Sequence, residues 1–172
     1  HKNYTVNHIM NITDVDDKTI RKSINENKSL ADLTKKYTDL FFNDLNWLKI
    51  IPADVFPKAT EHIPEMVEMI SKLMDKKIAY KTDDNSVFFN IEKYPEYGKL
   101  ININKNFLRS SVRISDDEYD KDNPQDFALW KSYKPEDGDV WWDSPFGKGR
   151  PGWHIECSAM SIKYLGEYFD IH

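Results

Sequence analysis

Residues 4–10 alternate bulky or β-branched side chains with polar ones (Thr5, Val6, His8, Ile9), a period of two that predicts a short strand. Residues 11–14 (NITD) follow, and residues 15–27 take on helical character. Thr13 or Asp14 is the expected N-cap, with Asp16 and Asp17 in the first turn, where the helix dipole favours carboxylates. A strand running straight into a capped helix is half of a βα unit. The segment therefore reads as beginning inside an α/β sheet, as a piece of a longer fold would.

Ser29 with Asp32 resembles a capping box in which Asp replaces the usual Glu or Gln. Leu30, Leu33, Tyr37, Leu40, Phe41, Leu45 and Leu48 then recur at three- and four-residue steps and predict one apolar stripe on a helix ending near Lys49. Pro52 and Pro57 bracket a loop. Ile63, Met66, Val67, Ile70, Leu73 and Met74 predict a second amphipathic helix, with Pro64 tolerated in its first turn. Residues 78–80 and 87–91 flank a turn at 82–86 as a hairpin, and residues 127–130 predict a further strand. A helix is expected from Trp153 or His154 to Leu165, stopped by Gly166, with a strand over 168–172.

The chain has 172 residues, 40% hydrophobic and 31% charged, enough for one ordinary core or one domain with an insertion. Twenty-four Lys and Arg against 29 Asp and Glu leave a formal charge of −5. That balance lacks the basic footprint of a DNA-binding domain, so no DNA partner is expected. Residues 116–143 are strongly acidic and read as a solvated stretch where nucleic acid does not lie. Cys157, the single cysteine, excludes an internal disulfide and a self-contained CxxC zinc module. One thiol and five histidines can still supply part of a metal site. No apolar run approaches the ~18 residues that cross a bilayer, and no leader precedes the first patterned segment. The expectation is a soluble cytoplasmic protein with no membrane partner.

Three places carry candidate chemistry. Thr13 sits where a predicted strand meets a helix, and ligands of open α/β sheets bind outside the carboxyl ends of strands; the alternative is that NITD only caps the helix. Trp153 and Cys157 are four residues apart, so a helix stacks an indole and a thiol on one face as a pocket wall. The alternative for Cys157 is a small buried hydrophobe. His154 and Glu156, two apart, point in different directions and do not read as a shared metal site. Residues 147–152 (GKGRPG) form a glycine-rich loop leading into a helix N-terminus, a natural anion site. They lack the order of a phosphate loop or a dinucleotide fingerprint, and alone they read as a tight turn.

As strings these segments become specific. NITDVDDK (11–18), DNPQDFALWK (122–131), GKGRPGWHIECSAM (147–160) and FDIH (169–172) occur in an order that closely resembles the cysteinyl-tRNA synthetases over nearly the whole chain. The resemblance implies part of a class I synthetase catalytic region, a Rossmann-type α/β nucleotide fold interrupted by an α+β connective-peptide insertion. Residues 1–28 would close the first half of that fold, 29–139 would hold a helical region and the insertion, and 140–172 would open the second half. It further implies that Cys157 is one ligand of a zinc ion that selects the substrate thiol. Thr13 and Trp153 would line the cysteine pocket, and His172 would contact the nucleotide. The implied partners are cysteine, ATP with magnesium and tRNA(Cys), acting on a monomer. No catalytic residue is assigned within the chain.

Zinc suits such a task, because thiolate binds it well and a serine hydroxyl is a harder, poorer ligand. An apolar pocket separating analogues that close gains only ~1–3 kcal/mol. The HIGH, HHENE and KMSKS strings of the family do not occur in residues 1–172, so the segment alone is expected not to aminoacylate. Two other readings stand beside this one: the cysteine–glucosaminyl-inositol ligase of mycothiol synthesis, which shares fold and zinc pocket, and a non-catalytic remnant that binds a partner.

Overall fold

The computed structural model describes residues 3–99 and 126–172. The acidic run over 116–122 and the DNPQ part of the DNPQDFALWK string lie outside the described residues. The chain divides into two compact units. Unit 1 comprises residues 1–66, 134–140 and 156–172; unit 2 comprises 67–133 and 141–155.

Unit 1 opens on an extended segment that forms no strand, contrary to the expectation for residues 4–10. Pairing is limited to two isolated parallel bridges, Ile9 with Val55 and Ile12 with Lys58. The backbone bonds are sparse: Asp54 N–H donates to His8 O at 2.8 Å, Met10 N–H to Val55 O at 3.1 Å and Ile12 N–H to Pro57 O at 2.8 Å. Pro57 has no N–H to return, so the ladder breaks there. Alternation identified an extended chain but not a partner, and Tyr4 and Val6 remain exposed.

Helix α1 covers Asp17–Asn25. Its N-cap is Asp16, not Thr13 or Asp14: the Asp16 carboxylate accepts from Thr19 N–H at 2.5 Å while Thr19 Oγ1 accepts from Asp16 N–H at 2.9 Å. Asp14 is spent elsewhere, as described below. Helix α2 covers Leu30–Trp47, with Ser29 Oγ accepting from Asp32 N–H at 3.0 Å. The Asp32 carboxylate takes the Ser29 hydroxyl proton at 2.7 Å. Of the predicted α2 stripe only Leu33 is fully buried, while Tyr37, Leu40 and Leu48 are exposed, so the period was right and the burial was not. A 3-10 turn, Ala59–Glu61, precedes α3, Ile63–Asp75, whose second residue is Pro64 as expected. Val15, Ile20, Leu33, Ala59, Met66 and Met160 form the unit 1 core.

Unit 2 is built on a four-stranded sheet in the order β1-β2-β3-β4, antiparallel throughout. The predicted hairpin is β1 (Ala79–Lys81) with β2 (Val87–Phe89), paired Tyr80 to Phe88. Strand β3 runs Phe127–Ser132, two residues beyond the expected end, and a register shift between Val87 and Phe88 marks its pairing with β2. Val87, Phe88 and Trp130 are fully buried here. Strand β4 is Gly149–Pro151, inside the stretch read from sequence as a glycine-rich loop. It can form because Gly149 and Gly152 let two backbones approach. A Cβ at Gly152 would lie 2.0 Å from Ala128 O, and one at Gly149 would lie 2.2 Å from Lys131 O.

Helix α4 covers Trp153–Leu165, and Gly166 stops it at φ +84°. Residues 168–172 form no strand, against expectation; Tyr168 and Ile171 are exposed and gain no pairing partner among the described residues. Helices and sheet together make an α/β chain. No helix among the described residues is long and apolar enough to cross a membrane.

Candidate functional site

Thr13 lies between the Ile12 bridge and the α1 cap, with its side chain at the surface. Its Oγ1 accepts from Asn11 Nδ2 at 3.1 Å and retains its own proton to donate. It lines a cavity of about 560 Å³ whose wall also includes Met10, Lys18, Lys22, Tyr37 and Phe41, all of unit 1. Lys22 reaches across to the Tyr37 hydroxyl, which holds its ammonium above the ordinary value of 10.5. Cys157 and His172, in the same unit, do not line this cavity.

The turn carrying Thr13 is anchored by its neighbour. Asp14 is buried, and its carboxylate accepts from Thr60 N–H at 3.0 Å and from the Thr60 hydroxyl at 2.6 Å. Two residues on, His62 is also buried. Its Nδ1 lies 2.7 Å from Lys58 O and its Nε2 lies 2.9 Å from the Tyr164 hydroxyl. Neither contact was legible beforehand: Asp14 read as a cap, and His62 carried no pattern at all. The partners are 46 and 102 residues away.

Cys157 is a free, half-buried thiol on α4. Burial, and then the negative charge of Glu156 beside it, push the thiol above its ordinary value of 9.0. It is therefore protonated at neutral pH and is not a ready nucleophile. Among the described residues no group of three or more His, Cys, Asp or Glu side chains comes together that could hold a metal ion. A zinc site takes three or four protein ligands, so these residues do not by themselves fit one, and Cys157 supplies at most a single donor.

Trp153 starts α4 in unit 2 and is 62% exposed. Its ring lies 3.6 Å from that of His154, which in turn sits 4.5 Å from the Phe127 ring. His154 thus belongs to an aromatic stack, while Glu156 is 1% exposed. The two differ in surroundings as their spacing predicted. His172 is exposed, 5.9 Å from the Phe169 ring. The glycine-rich stretch is not an open anion cradle. Gly149 N–H donates to Trp142 O at 3.0 Å and Gly152 N–H to Leu129 O at 2.9 Å, so these donors are already used.

The chain is similar to known proteins over essentially its whole length. The chain is 53% identical over 170 residues to the cysteine–tRNA ligase of Chlamydia pneumoniae, covering 98% of this chain and 36% of that protein. It is 54% identical over 172 residues to the cysteine–tRNA ligase of Methanococcus maripaludis, covering 100% and 35%. With that of Brachyspira hyodysenteriae the identity is 56% over 171 residues, covering 98% and 36%. The chain thus spans little more than a third of the length of these relatives. The family model of the class I (C) tRNA synthetase catalytic domain matches residues 1–172, and the chain belongs to that family.

Proposed function

We propose that these residues are part of the catalytic region of a cysteine–tRNA ligase, which joins cysteine to ATP as cysteinyl-adenylate and then passes it to tRNA(Cys). The observation that carries this reading is identity above half, sustained over essentially the whole chain, to proteins bearing that name. Within the proposal, residues 1–28 and 140–172 belong to the two halves of the Rossmann-type fold, and 29–139 to the helical region and connective-peptide insertion. The enzyme is a cytoplasmic monomer that uses ATP as its magnesium complex and has no DNA or membrane partner.

The first reaction is attack of the cysteine carboxylate on the α-phosphorus of ATP, releasing pyrophosphate. Acceleration of such a step rests on positioning and charge stabilisation. Thr13 offers a surface hydroxyl at a cavity wall, suited to hold a polar group of the amino acid. Trp153 offers a flat exposed ring for its apolar side. Cys157 is assigned as one zinc donor, the others coming from outside the described residues, and His172 as a nucleotide contact. Bound zinc would select a thiol over a hydroxyl.

The test is cysteine-dependent ATP–pyrophosphate exchange by the full-length ligase. Thr13→Val and Cys157→Ser should each raise the cysteine KM by about tenfold or more, the loss expected when a polar contact to substrate goes. Unchanged cysteine KM in both would overturn the site. Supplying an amino sugar in place of tRNA(Cys) separates this reading from the glucosaminyl-inositol ligase, since only the latter forms an amide. Absence of exchange in the parent protein would favour a binding remnant.

A further inference from the structure

Building on the reading that Thr13 and Cys157 serve the cysteine pocket, we propose that residues 57–62 are a brace that sets both in place. Asp14 and His62 are its positioning residues. All of these groups lie within unit 1.

On one side the brace is stitched to the turn that carries Thr13. Ile12 N–H donates to Pro57 O at 2.8 Å and Ala59 N–H donates to Ile12 O at 3.2 Å. Asp14, immediately after Thr13, then takes both the N–H and the hydroxyl of Thr60. A buried carboxylate with two donors from one residue has a single orientation, and the backbone of Thr13 shares it.

On the other side the brace holds α4. A carbonyl oxygen can only accept, so His62 Nδ1 carries the proton that goes to Lys58 O. In the neutral ring Nε2 is then the acceptor for the Tyr164 hydroxyl. Tyr164 stands seven residues after Cys157, two turns along the same face of α4. The adjacent Lys163 pairs with Glu65, just beyond the brace. The imidazole and phenol rings also meet edge-on, with centroids 5.5 Å apart.

A buried, fully paired polar network adds little net stability compared with apolar packing, but it does specify one arrangement. Thr13 and α4 are far apart in sequence, and this short turn bonds both to the residues flanking Thr13 and to α4. The brace therefore ties the turn that carries Thr13 to the helix that carries Cys157, the two residues the proposed site assigns to cysteine.

The experiment uses the full-length ligase with Thr60→Val and Tyr164→Phe, each of which removes one hydroxyl and keeps the shape of the side chain. Each should raise the cysteine KM about 3- to 10-fold and leave the ATP KM and kcat within about twofold, alongside the lower thermal midpoint expected when a buried group loses a bond. Thr60→Ser, which restores the hydroxyl, should return the cysteine KM to the parent value. A merely structural role predicts instead that the cysteine and ATP KM values are affected alike, and that result overturns the proposal. So does an unchanged cysteine KM in both variants, or failure of Thr60→Ser to rescue. Thr13→Val, measured in parallel, separates the two levels. If it leaves the cysteine KM unchanged, the site reading itself fails. If it raises that KM while the brace variants do not, only the brace fails.

Discussion

Glu65 and Lys163 pair across unit 1 with about a third of each side chain still in solvent. The Lys163 ammonium holds the Glu65 carboxyl below its ordinary value of 4.5, outweighing the opposing effect of partial burial. A carboxyl whose folded value is depressed stabilises the folded chain above the unfolded value and loses that contribution as pH falls through the folded one. The stability difference between the parent chain and Glu65→Gln should therefore be constant through neutral pH and shrink below about pH 4.5. Urea unfolding of both proteins over an acid series reads this directly; a difference that grows towards acid would contradict the pairing. Because the pair is partly exposed, its contribution also falls with added salt.

At the scale of the element, the short string before α1 divides its work, with the cap supplied by one residue and the cavity wall by another. Asp16 closes the helix through a reciprocal pair of bonds with Thr19, so Thr13 is left out of the cap. Asp16→Ala should cost about 1 kcal/mol of stability. Thr13→Val should leave the urea midpoint near that of the parent; equal losses in the two would show that Thr13 caps after all. Helices α3 and α4 and the β1–β2 hairpin could be read from sequence because their signals are local: three- and four-residue steps, a proline in the first turn, a glycine stop, a polar turn between two apolar runs. Strand β4 could not, since Gly149, Arg150 and Pro151 carry no alternation and owe their conformation to β3 beside them. For the same reason residues 4–10 were misread, because alternation speaks of an extended backbone and is silent about what it pairs with. At the site, the position of Thr13 and the helical spacing of Trp153 and Cys157 were legible. The Thr60 and Tyr164 contacts were not, because nothing in a linear pattern reports a partner 46 or 102 residues distant.

At the scale of the whole molecule, the two units differ in how they close. Unit 2 takes its sheet from 79–89 and 127–151, with the hairpin a local contact. Unit 1 is assembled from three separate stretches of chain, and its helix α2 leaves Trp47 at 81% and Ile51 beyond it at 87% exposure. Its polar fastenings are the long-range ones just described. Closing a loop costs more entropy as the loop lengthens, and contacts that span many residues form only after that cost is met.

The brace therefore has a consequence in time. On a growing chain Asp14 waits 46 residues for Thr60, and His62 waits 102 more residues for Tyr164. The half that holds Thr13 can close while α4 is still unmade, and the half that holds Cys157 can close only once Tyr164 has been made. Pulse-labelling hydrogen exchange during refolding should show the amide of Thr60 protected before the turns of α4 around Cys157 and Tyr164. Simultaneous protection of both would mean that the two fastenings form in one step. In the ordered case the thiol helix docks onto a turn already set, so Thr13 acts as the template and Cys157 as the part fitted to it.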